Sequence, residues 1–171
     1  ILFVGNSFTF FWNLPSVVEK MAKERGLDWN VVQSTASGAS LKQHWLGKKQ
    51  LLTKQLIMNN SFSKVILQDN STYPIVAIDT KKKYYNKFKE LTPLTTNTYV
   101  YSTWMYPKID KEHRDLHQQN LVEKNFVESG VSESSILILV GKAFDKFNSK
   151  YPKYKLLEED FKHQNNNGTY L

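Results

Sequence analysis

The residue types that acyl transfer needs stand at the two ends of this sequence. Ser7 follows the apolar run Ile1-Leu2-Phe3-Val4 and the turn residue Gly5, while Asp160 precedes His163 by three positions. A serine hydroxyl becomes a useful nucleophile only when a base within hydrogen-bond reach takes its proton, and that base needs a third group to fix its tautomer. Asp160 and His163, on one turn of chain, supply both; Glu158 and Glu159 are adjacent carboxylates that serve if the turn is offset. Ser7 sits where a buried strand ends and a helix begins, the position from which a side chain is presented at the carboxyl edge of an α/β sheet. The competing reading makes Ser7 no more than a cap for the following helix.

Two further segments collect small or polar residues after apolar runs. Ser34 to Ser40 is a loop of small residues around Gly38, through which backbone can approach a ligand closely. Gln68-Asp69-Asn70-Ser71-Thr72 follows the compact run Val65-Ile66-Leu67. Of the four histidines, His113 and His117 stand four apart, a spacing that suits a metal pair, but no nearby carboxylate completes the pattern and a solvated helix face explains them. Trp12, His44, Trp45, Tyr73 and Trp104 lie near the expected strand ends, where they are candidates to line a substrate pocket; core packing is the alternative.

To bring segments so far apart together, the chain needs alternating strands and helices. Apolar residues at Leu14, Val17, Val18 and Met21 predict a helix over Leu14 to Arg25, stopped by Gly26. Trp29 to Val32 reads as the second strand, and Leu41 to Met58 as a helical stretch broken near Gly47. Val65 to Leu67 is the third strand, Ile78 to Leu91 a helix and Thr98 to Ser102 the fourth strand. Asp110 to Glu128 reads as a long polar helix, Ile136 to Val140 as the fifth strand and Lys142 to Lys150 as a helix before Pro152. Strand and helix alternating with short connections predict a five-stranded parallel sheet covered on both faces. Its carboxyl edge then gathers Ser7, Gly38 and Asn70.

Composition narrows the partners. A chain of 171 residues with 40% hydrophobic and 23% charged residues suits one domain over 1–171, here expected to be trimmed at both ends, with any signal peptide upstream of Ile1. No apolar run approaches the ~20 residues of a membrane-spanning helix. The absence of cysteine removes disulfides, thiolate zinc sites and cysteine nucleophiles. The formal charge of +7 invites a polyanion partner, yet the lysines are scattered, Lys48-Lys49 and Lys81-Lys82-Lys83 fall on expected exposed helix faces, and Arg25 and Arg114 are the two arginines. Arginine is the preferred bidentate reader of phosphates and bases, so nucleic acid is not the expected partner.

Taken together, Gly5-Asn6-Ser7-Phe8-Thr9, Ser37-Gly38-Ala39-Ser40-Leu41, Gln68-Asp69-Asn70-Ser71 and Asp160-x-x-His163 resemble the four sequence blocks of the SGNH hydrolases, the GDSL-like esterase and lipase superfamily. Gly5-Asn6-Ser7-Phe8-Thr9 together with Leu67-Gln68 before a polar residue and serine resembles the pattern of a poorly characterised bacterial branch. The resemblance covers nearly the whole chain and implies a flavodoxin-like three-layer α/β/α sandwich. It further implies a serine esterase with a Ser7, His163, Asp160 triad and an oxyanion hole from the backbone of Ser7 and Gly38 with the side chain of Asn70. The substrate would be a small-molecule or carbohydrate ester, carbohydrate deacetylation included. Neither metal nor organic cofactor is required, and a secreted or periplasmic location is favoured. Asn6 departs from the family's aspartate and should alter turn hydrogen bonding more than chemistry. The third block keeps only its asparagine, which leaves Gln68 as the substitute donor, since alternation would put positions 68 and 70 on one side. Two rival readings are a flavodoxin-type phosphate or flavin binder and an inactive carbohydrate-binding module.

Overall fold

The computed structural model describes residues 1–73, 77–104 and 136–171. Its sheet has five parallel strands in the order β2-β1-β3-β4-β5: β1 Leu2–Gly5, β2 Val32–Thr35, β3 Lys64–Leu67, β4 Asn97–Ser102 and β5 Ile136–Leu139. The first strand lies between β2 and β3, so the strand order reverses around it. In doubly wound sheets the crevice at such a reversal is where ligands bind. The residue after β1 therefore enters that crevice.

Alternation along β1 splits the core in two. Ile1 and Phe3 join Phe8, Ile66, Tyr101, Trp104, Phe144 and Leu156 on one face, while Leu2 and Val4 join Leu41, Ile57, Val65, Leu67, Tyr85, Phe88 and Val100 on the other. The first face is covered by helices α2 Leu14–Glu24 and α6 Val140–Lys150, with Leu14, Val18, Val140 and Phe147 packed inward. The second is covered by α3 Leu41–Trp45, α4 Thr53–Asn59 and α5 Ile78–Leu91. This is the expected three-layer α/β/α sandwich. Each fully buried aliphatic or aromatic side chain contributes about 1.5–3 kcal/mol, enough for two such faces to hold the strand ends in place. Two short helices complete the described elements: α1 Ser7–Phe10, directly after β1, and α7 Asn166–Tyr170, directly after the His163 segment.

Several expected boundaries move. The second strand is Val32–Thr35 and not Trp29 to Val32, because the Val31 N–H is taken by the Glu19 carboxylate and Leu2 pairs with Val32. The stretch Leu41 to Met58 divides at Gly47, whose φ of +64° ends the first helix, and a 3-10 turn over Lys48–Gln50 separates the halves. Val140 starts helix α6 instead of ending β5. Lys81, expected on a solvated face with Lys82 and Lys83, is buried on α5. The helix expected over Asp110 to Glu128, with His113 and His117, lies outside the described residues. No helix among the described residues is long and apolar enough to cross a membrane, and no cluster of three or more acidic, histidine or cysteine side chains among them could hold a metal.

Candidate active site

Ser7 is the first residue of α1, and Asn6 is its N-cap, with the Asn6 Oδ1 accepting from the Phe8 N–H at 3.1 Å. The helix is short because Phe11 leaves helical geometry and Trp12 and Asn13 adopt positive φ. That tight turn sends Ser7 into the crevice. Gly5 is required at the bend, since a Cβ there would stand 2.3 Å from Thr9 Oγ1 and 2.6 Å from Gln68 Oε1.

The His163 segment approaches from the far end of the chain. Leu157 and Gln164 form an antiparallel bridge, so residues 158–163 make a closed turn, and within it Asp160 Oδ1 accepts the backbone N–H of Lys162 at 2.9 Å and of His163 at 3.0 Å. These bonds leave Asp160 Oδ2 for the imidazole: His163 Nδ1 lies 2.5 Å from it, and His163 Nε2 lies 2.8 Å from Ser7 Oγ. An ionised carboxylate can only accept, so Nδ1 carries the proton and Nε2 is free to accept from the serine hydroxyl. Partial burial would raise the Asp160 carboxyl, but the backbone N–H and imidazole of His163 and the backbone N–H of Lys162 bring it down to about 2. The ring is also held on its face, stacked on Phe11 at 4.1 Å between centroids and 10° between planes. Glu158 does not compete for the imidazole, because its carboxylate accepts from Trp12 Nε1 at 2.5 Å.

A cleft of about 200 Å³ opens beside Ser7, bounded by Gly38, Asn70, Ser71, Thr72 and Lys162. Gly38 has φ +60° and lies before α3. The Asn70 Oδ1 accepts from the Thr72 N–H at 3.0 Å and hydroxyl at 2.8 Å, which orients the side chain and leaves its Nδ2 donor without a partner among the described residues. Gln68 is turned elsewhere: its Oε1 accepts from the Asn6 N–H at 2.8 Å and from Thr9 Oγ1 at 3.0 Å, beneath the turn. Strand alternation does not carry through to position 70, because β3 ends at Leu67. Gln68 therefore supports the first turn and does not face the cleft. Asn6 ties the loops together through an amide that an aspartate lacks, with Nδ2 donating to Ala39 O at 2.9 Å and to Asp69 O at 3.4 Å.

None of the five aromatic pocket candidates lines this cleft. Trp12 is 53% exposed outside it, and Tyr73, half-buried, bonds through its N–H to Asn70 O. Trp45 packs edge-on against Phe88 under the ammonium groups of Lys54 and Lys87. Trp104, 3% exposed, stacks on Phe144 and packs against Phe8, and its Nε1 donates to Lys162 O at 2.9 Å, so it supports the cleft from behind. His44 is wholly buried: Nε2 donates to Gly5 O at 3.0 Å and Nδ1 accepts from the Thr53 hydroxyl at 2.7 Å, which accepts in turn from Ser34 at 2.7 Å. Burial, against the opposing effect of the Gly5 carbonyl and together with Lys49, pushes this histidine down to about 4. His44 and Trp45 lie on α3, Trp104 follows β4 and Trp12 stands in an exposed turn, and nearness to a strand end in sequence does not distinguish these environments from a cleft. Conversely, sequence reasoning passed over Phe11, whose only signal was the aromatic run after Ser7.

No family model matches this sequence, and no curated protein does. Solved structures do. A Slackia heliotrinireducens protein provisionally assigned as an SGNH hydrolase aligns with a TM-score of 0.79 and 19% identity over 98% of this chain and 91% of its own. AlinE4, an esterase of the SGNH-hydrolase family, aligns at 0.62 and 11% identity, over 98% and 86% of the two chains. Axe2, an acetyl xylan esterase from Geobacillus stearothermophilus, aligns at 0.56 and 16% identity, over 98% and 88%.

Proposed function

From the premise that this chain has the fold of the SGNH hydrolases, we propose that it is a serine esterase whose catalytic residues are Ser7, His163 and Asp160. The observation that carries the reading is the continuous hydrogen-bonded line from Asp160 through His163 to Ser7, spanning 156 positions of sequence to end at an open cleft. A structural histidine has no need of a serine hydroxyl at the mouth of a cleft.

In this reading, His163 Nε2 takes the Ser7 proton as Oγ attacks the ester carbonyl carbon, and Asp160 stabilises the imidazolium that forms. The carbonyl π pair moves onto oxygen, giving a tetrahedral oxyanion. Donors for it are the backbone N–H of Ser7 and Gly38 and the side-chain Nδ2 of Asn70. Collapse expels the alcohol, which takes the proton from His163. Water, deprotonated by the same imidazole, then releases the acid and regenerates Ser7.

The cleft lining mixes polar side chains, Asn70, Ser71, Thr72 and Lys162, with the ring of Phe8, a combination that suits a hydroxyl-rich alcohol. A short acyl group on a carbohydrate fits this lining, and Axe2, whose name assigns it to acetyl xylan, has the same fold. The test is labelling with a fluorophosphonate followed by peptide mapping, together with hydrolysis of 4-nitrophenyl acetate. Ser7 should be the only labelled serine, and Ser7→Ala should abolish both signals. Labelling at Ser37, Ser40 or Ser71 would refute the assignment.

A further inference from the structure

Asp69 stands between the two loops that carry the oxyanion donors. The residue is 4% exposed. Its Oδ1 accepts two backbone N–H groups from different parts of the chain: Leu41 at 2.8 Å and Asn70 at 2.7 Å. Leu41 opens α3, three residues after Gly38, and Asn70 is the side-chain donor on the opposite wall. One oxygen thus holds both walls of the oxyanion site. The Asp69 main-chain carbonyl accepts from Asn6, so the nucleophile's turn is fastened to the same residue.

A buried carboxylate is expensive unless a cation answers it. Lys81 on α5 is also 4% exposed and interacts electrostatically with Asp69. Burial pushes the Asp69 carboxyl up, and Lys81 and the two backbone N–H groups oppose that; burial pushes Lys81 down to about 8, and Asp69 opposes it. A hydrophobic residue at each position would fill the same space without this cost. What an apolar pair would lack is an acceptor between Leu41 and Asn70.

We propose that Asp69 is a positioning residue for the esterase reaction, fixing the Gly38 loop relative to Asn70 through its shared acceptor oxygen, with Lys81 as its buried counter-charge. The inference rests on the serine esterase reading. Donors in an oxyanion hole act only within about 0.5 Å of their productive positions. Losing the clamp therefore lowers transition-state stabilisation and leaves ground-state binding nearly alone.

Charge and acceptor can be separated. In Asp69→Asn/Lys81→Met both charges are gone and an Oδ1 acceptor remains; in Asp69→Ala/Lys81→Met the acceptor is gone too. With folding checked by circular dichroism, the asparagine pair should keep kcat on 4-nitrophenyl acetate within about threefold of wild type. The alanine pair should lose about 10- to 100-fold in kcat with KM within about twofold, a part of the ~10²–10³ that one oxyanion donor is worth. Affinity for phenylboronic acid, which mimics the tetrahedral state on Ser7, should weaken in parallel. A folded alanine pair with wild-type kcat and boronate affinity overturns the inference, as does an asparagine pair as impaired as the alanine pair. If the alanine pair does not fold, Asp69→Glu, which keeps the charge and displaces the acceptor by one methylene, takes its place, and unimpaired kcat there overturns the proposal equally. A wild-type protein inert to esters and fluorophosphonate sinks the esterase reading and this inference with it, whereas an active wild type with an unaffected alanine pair sinks this inference alone.

Discussion

Acidification should weaken the fold through one histidine that takes no part in the proposed chemistry. His44 titrates near 6.5 when the chain is unfolded and is pushed down to about 4 in the folded protein, chiefly by burial. Between those values the unfolded chain binds a proton that the folded chain refuses, so stability falls as pH falls, and the loss saturates below about pH 4. At about 1.4 kcal/mol per unit, the gap corresponds to about 3 kcal/mol in full, of which about 2 kcal/mol is lost by pH 5. Above pH 7 this group contributes no slope. The perturbation is His44→Gln, which has no titration in this window and offers an amide donor toward Gly5 O. Urea unfolding followed by circular dichroism at pH 7.5, 6, 5 and 4 gives the stability of each protein. At pH 7.5 the variant is the less stable, since it loses the Thr53 and Gly5 geometry. By pH 4 the wild type should have lost about 3 kcal/mol more than the variant, about 1.5 M in urea midpoint at a slope of ~2 kcal/mol/M. Asp160, whose low value acts below pH 4, cancels in the comparison. Parallel stability curves for the two proteins would refute the reasoning.

Three further outcomes follow from the site. Asn70→Ala should lower kcat on a simple ester by about 10²–10³ with the fold intact, while Gln68→Ala should act mainly on stability, by about 1–3 kcal/mol, through the unpaired Asn6 N–H and Thr9 hydroxyl; the reverse pattern in side-by-side assays would show the donor register to be wrong. Asp160→Asn should cut kcat by about 10³–10⁴ and leave KM nearly unchanged, because the amide disturbs the tautomer of His163 and not substrate contact; a change confined to KM would remove Asp160 from the triad. Asn6→Asp should cost about 1–3 kcal/mol in thermal or urea unfolding, since a carboxylate would face the carbonyls of Ala39 and Asp69 that the amide now serves; unchanged stability would mean that those carbonyls find other donors.

The layers of this fold were legible because their signals are short-ranged. Val65-Ile66-Leu67 is too apolar for anything but a doubly covered strand, and Gly47 could be read as a break because only φ > 0 suits a helix end there. Ser7 and the Asp160-x-x-His163 spacing were equally legible, as chemistry needs those types in that proximity. The pocket aromatics were not. Trp45 and Trp104 satisfy the same spacing rules whether they face a cleft or the sheet, and only three-dimensional packing decides. Lys81 is the clearest case: a lysine in a run of three reads as solvated, and nothing local announces that the first of them is buried, within electrostatic reach of Asp69. Gln68 stayed open as the substitute for Asn70 for a different reason, since a period of two holds only while the chain remains a strand.

Among the described residues, the segment bearing Asp160 and His163 is held to the rest by side-chain bonds, Trp12 to Glu158, the Trp104 indole to Lys162 O, the Gln164 amide to Phe8 O and Phe11 O and His163 to Ser7, by the ring contacts of His163, and by Leu156 at the edge of the first apolar face. The five strands are joined by complete ladders and two apolar faces. Opening the segment therefore costs less free energy than melting the sheet, and the two events are separable in hydrogen exchange. On heating, the serine should lose its base while far-ultraviolet dichroism still reports an intact sandwich. The protein's working temperature is then set by the attachment of this one arm, and a staple between residues 152–171 and the body would raise the temperature of inactivation without moving the melting of the sheet.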